Sequence, residues 1–448
     1  MKGWMHLGIW ATALAPIGAA MRILPHPAIA GVIGLLPVGL LVVLYLPQLM
    51  VLGFVVFSFF RIHESFPFLY SLKIPLMLSL ASISALGWHI FVSQQLKPYW
   101  SRELTYWFIF IGLVAIGIPM ATNPSLAIES FSARYWKIAL MMLAIVWLTR
   151  TDKDFATAGL FICLGGCATA GVALFNKVNS IGLVEGTRVT IGRDIGSVLG
   201  DPNDLSLVLM LPTAFTIAYA LDNRAKWYAR LFGGLSFLAL FSAIIATQSR
   251  GGLLGIIAVV GFFWLRKVKS LVVTGAAGVL GLGFLYAVAG ISDRASGGAA
   301  EEGIDASSMG RLWAWQAAYR MALHNPFTGV GLDNFYSNYY YYSSHWDGKN
   351  HSVHSTWFGV LAETGILGLI MFVTAVTVTL RSGMGMLKDL DTTPMPNPLL
   401  HRASQSVVAG IWGTLVSGTF LTQGFTWPIY ILSGLQIALL QVHRNSNR

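Results

Sequence analysis

The sequence predicts an all-α polytopic membrane protein, and three observations carry that reading: very few charged residues, apolar windows of spanning length along most of the chain, and uneven placement of Lys and Arg. Charged residues make up 11% of the 448 residues, against about 25% in soluble proteins. With 55% hydrophobic residues and a mean hydropathy of +0.65, the chain cannot clothe a compact globule of its size in polar side chains. A soluble enzyme is excluded. Disorder is excluded too, because 12% aromatics and long apolar runs are the opposite of the low-hydrophobicity signature.

A helix needs about 20 residues to cross the hydrocarbon. Windows of that kind recur at 5–21, 28–45, 47–60, 72–92, 104–121, 135–149, 155–176, 204–221, 229–247, 251–266, 270–290, 355–380, 405–421 and 427–442. Several are short, 47–60 above all, so the expectation is about 12–14 transmembrane helices. Membrane β-strands would be about ten residues long with strict alternation, which these windows are not. The first window follows Met1-Lys2 with no convincing cleavage site after it, and reads as an uncleaved helix. Cys163 and Cys167 lie four apart in an apolar window and read as packing residues on one helix face.

Orientation follows from the basic residues of the short loops. With the N-terminus in the cytoplasm, 16 of the 29 Lys and Arg fall inside and 13 outside, and seven of those 13 sit in two long connections, 177–203 and 291–354, where the rule has little force. Both termini are therefore expected in the cytoplasm. The net charge of +10 shows no basic stripe of nucleic-acid type. Three regions follow: N-terminal helices 1–176, a central region 177–380 that contains the outer loop 291–354, and C-terminal helices 381–448.

The polar candidates gather at the outer face. Thr247-Gln248-Ser249-Arg250-Gly251-Gly252 joins two spans so briefly that Arg250 is held near membrane depth. Such an arginine either snorkels to headgroups or serves a function, and a guanidinium can grip a phosphate bidentately. Gly310-Arg311-Leu312-Trp313 opens a segment in which Leu312, Trp315, Tyr319 and Ala322 share helical spacing, expected as a helix lying on the outer leaflet. His351 and His354 precede the next span. They can be half of a metal site, structural groups, or a base working near neutral pH. Arg188, Arg193 and Asp201-Pro202-Asn203-Asp204 lie in the other outer connection, with Asn203 or Asp204 expected to cap the following span. The tyrosine run 339–342 with Trp346 either stacks on sugars or belongs to an interfacial belt. Asp152-Lys153-Asp154 and Asp389-Leu390-Asp391 have a metal-enzyme spacing, but fall on the cytoplasmic side and are expected to cap helices. Phosphate-loop, dinucleotide and zinc-protease motifs are absent.

Taken in order, Ser249-Arg250-Gly251, Gly310-Arg311-Leu312-Trp313, His354-Ser355 and Glu363-Thr364-Gly365-Ile366-Leu367-Gly368 make the chain resemble the O-antigen ligase superfamily, over roughly residues 180 to 380. That superfamily also holds O-antigen polymerases and bacterial protein O-oligosaccharyltransferases; the region Phe54 to Tyr70 is similar to ligases associated with exosortase systems. The resemblance implies a GT-C-like, metal-independent, inverting glycosyltransferase without a cofactor, its catalytic region being 177–380 and its loop 291–354 periplasmic. Its partners would be a polyprenyl-diphosphate-linked glycan such as an undecaprenyl diphosphate donor, an acceptor such as lipid A-core in lipopolysaccharide biosynthesis, and membrane lipids, with no nucleic acid, at the bacterial inner membrane. By the same resemblance Arg250 and Arg311 contact the diphosphate and His354 is the essential histidine, with Arg193, His351 and Arg188 as possible further site residues. A different class, a transporter or flippase of lipid-linked sugars, would use the arginines without making a bond. It would need charges at mid-span, and few are present.

Overall fold

The computed structural model describes residues 39–288 and 306–446. The window 5–21, most of 28–45 and the stretch 289–305 of the outer loop lie outside them. A helix over Gly39–Tyr45 meets α1 (Pro47–Phe59) at a bend of 102°. Then come α2 (Ile74–Val92), α3 (Arg102–Met120), α4 (Pro124–Leu148), α5 (Asp152–Val178), α6 (Pro202–Leu221) and α7 (Trp227–Thr247). Next are α8 (Arg250–Lys267), α9 (Leu271–Val288), α10 (Ala306–His324) and α11 (Phe335–Tyr342). The last three are α12 (Thr356–Thr392), α13 (Pro398–Gly418) and α14 (Trp427–Ser446). Among the described residues, seven of these helices are long and apolar enough to cross a membrane, or eight if the bent pair forms one span. The remaining predicted windows are also helical, as α8, α9, α13 and α14. The chain is a multi-pass membrane protein.

Helix starts follow from their caps. Thr151 and Asp154 form a reciprocal capping box at α5. Asp201, rather than Asn203 or Asp204, caps α6, its carboxylate accepting from the Asn203 N–H at 2.7 Å and the Asp204 N–H at 3.4 Å. The reason is Pro202, whose fixed φ and missing N–H suit the first helical position and start the helix one residue earlier than expected. That leaves the Asn203 side chain available for tertiary contacts. At the other end of the bundle Asp391 does not cap. It accepts from Arg266 at 2.7 Å and meets His401 at 2.9 Å, tying α8 and α13 to the end of α12, while Arg402 pairs with Asp222 at 2.8 Å.

α12 is broken. Gly365 has φ 70° and ψ −171°, far from helical values, so carbonyls of the preceding turn lose their helical donors. The loop after α10 replaces those donors. Val330 N–H donates to Ala362 O at 2.8 Å and Gly331 N–H to Glu363 O at 3.2 Å, while Ile366 N–H donates to Pro326 O at 2.8 Å. The Asp333 N–H reaches the Glu363 carboxylate at 2.9 Å. Glycine is required on both sides of this seam: a Cβ on Gly329, at φ 63°, would lie 2.3 Å from Ala362 O, and one on Gly365 would lie 2.5 Å from Pro326 O. The segment after α3 docks on the same loop, with Thr122 N–H donating to Val330 O at 2.9 Å and Asn123 N–H to Asn334 Oδ1 at 2.9 Å.

α10 has one exposed and one packed face. Leu312 and Tyr319 are exposed, whereas Ala314, Ala317, Ala318 and Met321 are fully buried in a second core with Val330, Phe335, Tyr339, Val353 and Ala362. The buried face is the one with small side chains, which lets α10 lie close against the first turns of α12. We expect Gly365→Ala and Gly329→Ala each to destabilise the protein by about 1–3 kcal/mol. Gly385→Ala, in the same helix with open space at its Cβ, should be neutral or slightly stabilising. Thermal unfolding of the detergent-solubilised protein measures the difference.

Candidate functional site

The starts of α6, α8 and α12 come together at one end of the bundle. Asn203, in the first turn of α6, joins the first two: its Oδ1 accepts from Ser249 Oγ at 3.0 Å and from Arg188 Nη2 at 3.1 Å. Arg188 is buried, donates its Nε–H to Thr247 O at 3.1 Å and lies 3.9 Å from Glu185. Its guanidinium therefore joins the end of α7 to the start of α6. Arg193 is exposed, donating to Gly200 O at 3.3 Å, one residue before the Asp201 cap.

The turns that enter α8 and α12 share one design. In each, a non-glycine residue adopts the left-handed conformation, Gln248 at φ 51° and His354 at φ 44°, and the serine after it caps the helix. Ser249 accepts from Gly252 N–H at 3.3 Å, and Ser355 from Phe358 N–H at 3.5 Å. The left-handed form costs such a residue about 1–2 kcal/mol, and surrounding contacts must hold it. At His354 they are visible: Trp315 Nε1–H donates to the Val353 carbonyl at 3.0 Å, and its ring stacks on Phe358 at 5.1 Å.

This contact brings Arg311 to His354. Arg311 is one helical turn before Trp315 on the same face of α10, and its positive charge acts on the His354 ring. Arg250 is joined to the same place through the turn after α13. Gly251 lies against Phe420 and Leu421. Phe420 in turn faces Trp315 at 6.4 Å between ring centroids, and the Leu421 carbonyl accepts from Thr356 Oγ1 at 2.8 Å. The turn over 420–423 thus has the start of α8 on one side and that of α12 with α10 on the other. The N-termini of α8 and α12 bring positive dipole ends to this place beside Arg250 and Arg311, whereas the N-terminus of α6 is already met by the Asp201 carboxylate.

The surroundings of His354 favour its neutral form. Burial lowers its pKa below the ordinary 6.5, the Arg311 charge lowers it further, Asp201 opposes the shift and His351 adds a small lowering. His351 itself is turned to Asp347, at 2.9 Å, and sits edge-on to Tyr339 at 5.3 Å. Among the described residues, no group of three or more His, Cys, Asp or Glu is arranged to hold a metal ion. Trp315 and Asn203 are the positioning groups that sequence reasoning missed. The four-residue step from Arg311 to Trp315 was the signal for the first, and the second was marked only as a helix start and expected cap. We expect the His354 pKa, followed by NMR of histidine-labelled protein, to lie below 6.5. It should move up toward that value in Arg311→Gln and further down in Asp201→Asn, since the two charges act in opposite directions.

No curated protein matches the chain. A family comparison does match, over residues 235–373, a stretch that runs from α7 through the first half of α12 and so contains Arg250, Arg311, His354 and the Gly365 break. The matched family is described as O-Antigen ligase, and the similarity covers this stretch of the chain.

Proposed function

We propose that the protein is an inverting glycosyltransferase of the O-antigen ligase type. It transfers a glycan from a polyprenyl diphosphate to an acceptor hydroxyl, such as one on lipid A-core, at the periplasmic face of the inner membrane. What supports this reading is that the start of α8, which Arg250 opens, packs at Gly251 on the turn of Phe420 and Leu421, that Phe420 faces Trp315, and that the Arg311 charge acts on His354.

The chemistry follows from those three side chains. The acceptor oxygen attacks the anomeric carbon, the bond from that carbon to the diphosphate oxygen breaks, and the electron pair leaves on the lipid diphosphate. Negative charge grows on that oxygen, and Arg250 and Arg311 stabilise it, with the N-termini of α8 and α12 adding their dipoles. The acceptor hydroxyl gives up its proton to an imidazole nitrogen of His354. That step requires the ring to be neutral, as burial and Arg311 keep it. One in-line displacement inverts the anomeric centre. No metal is needed, because both charges to be balanced meet permanent cations. Arg188 supports the site through Asn203 and Ser249 and does not touch the donor.

Transfer by purified protein from a lipid-diphosphate glycan tests the assignment. Arg250→Ala or Arg311→Ala should lower kcat by about 100-fold to 1000-fold with membrane insertion unchanged; full activity in either would remove its diphosphate role. His354→Gly is the sharper variant. Glycine accepts the left-handed backbone, so the fold should be kept or slightly stabilised, while transfer falls roughly 100-fold to 10,000-fold. In the wild type, kcat/KM should fall on the acid side with a midpoint below 6.5, because a protonated imidazole cannot accept the hydroxyl proton.

A further inference from the structure

A cavity lies beside the first turn of α6. Its volume is about 280 Å³ and its wall includes Arg61, Arg134, Asp204, Gln423, Thr426 and Trp427. It adjoins the candidate site without being part of it. Asp204 is three residues after Asp201, about one helical turn, and Gln423 follows the turn at Leu421 that receives Thr356.

The charges within it argue for a neutral ligand. Arg61 is bonded to Glu64, whose other oxygen accepts from Ser197. Arg134 is paired with Asp333 at 2.7 Å. Both arginines are thus neutralised by partners, whereas the Asp204 carboxylate has no ion pair or hydrogen bond from another side chain among the described residues. With Glu64 and Asp333 bonded to its two arginines and Asp204 in its wall, the cavity offers a diphosphate or carboxylate no excess of positive charge. A polyol would meet what it requires: the carboxyl group of Asp204, the Nε2–H donors of Gln423, whose Oε1 already accepts from the Thr426 hydroxyl, and the indole of Trp427 as an apolar wall. The combination of one aromatic surface with a few converging polar groups is that of a small-molecule site, and the volume suits one or two sugar rings and not a lipid tail.

We propose that this cavity is a pyranose subsite, holding a neutral sugar ring of either the donor glycan or the acceptor while transfer takes place at His354. The proposal rests on the glycosyltransferase reading for its role in turnover, but the binding itself is a separate property. Saturation-transfer NMR on the full-length, detergent-solubilised protein, with a panel of methyl pyranosides as the probe, measures it directly. At least one pyranoside should receive saturation from the wild type. The signal should fall by about tenfold or more in Asp204→Asn and in the cavity-filling Val208→Trp, and should survive in Arg250→Ala. No saturation transfer to any pyranoside, or an undiminished signal in both cavity variants, overturns the subsite. In the transfer assay Asp204→Asn should raise the KM of one substrate with little change in kcat: a raised donor KM places the donor's glycan in the cavity, a raised acceptor KM places the acceptor there. If pyranosides bind and no glycan is transferred by the wild type, the transferase reading fails and the subsite stands.

Discussion

The arrangement depends first on the backbone repair at Gly365. A helix interrupted within a largely apolar body leaves carbonyls that neither water nor lipid can satisfy, at several kcal/mol each if left alone. The loop after α10 meets that demand with the Val330 and Gly331 N–H groups, and Ile366 returns a bond to Pro326. Because both partners are backbone, the fit leaves no room for a Cβ at Gly329 or Gly365. The loop is therefore held in one register against α12.

That register sets the rest of the site. Fixing the loop fixes the end of α10, and the alanine face of α10 then settles against Val353 and Ala362. Trp315 is thereby brought to the Val353 carbonyl, and the strained turn at His354 is held from outside the helix it introduces. The chain of causes runs from a backbone defect, through close packing of small residues, to the placement of one imidazole and one guanidinium. Glu363-Thr364-Gly365 and Asn325-Pro326 matter here as the two halves of a joint, and neither half needs to touch a substrate.

The sequence made the helices and the motif order readable because both are local properties. Apolar windows of spanning length need no tertiary information, and neither do a serine before a glycine-rich helix start or a histidine before a span. Three features were not readable, each for a stated reason. Asn203 resembled a cap, but Pro202 moved the cap to Asp201 and turned the amide toward Arg188 and Ser249, partners 15 and 46 residues away. In α10 the helical spacing of Leu312, Trp315, Tyr319 and Ala322 did not show that close approach to α12 would bury the face of Ala314, Ala317, Ala318 and Met321. Asp389 and Asp391 looked like caps, whereas the nearby Arg266 and His401 offered Asp391 ion pairs.

The arginines at this end of the bundle differ in their partners. Arg188 is buried with a carbonyl and an amide as acceptors, so its donors are already directed at the protein. Arg61 and Arg134 face a cavity but have carboxylate partners at hand, which removes their pull on an anion. Arg193 is exposed beside the cap of α6. Arg250 and Arg311 are distinguished by where they stand: one opens α8 at its positive dipole end, and the other lies a turn from the tryptophan that holds the His354 turn. A diphosphate placed between them would meet two permanent charges and the helix N-termini together, and the residue expected to accept a proton is kept neutral in part by one of those same charges. In the proposed reaction, anion binding and base function are coupled through Arg311, because the guanidinium that would attract the leaving group also disfavours the protonated imidazole of His354.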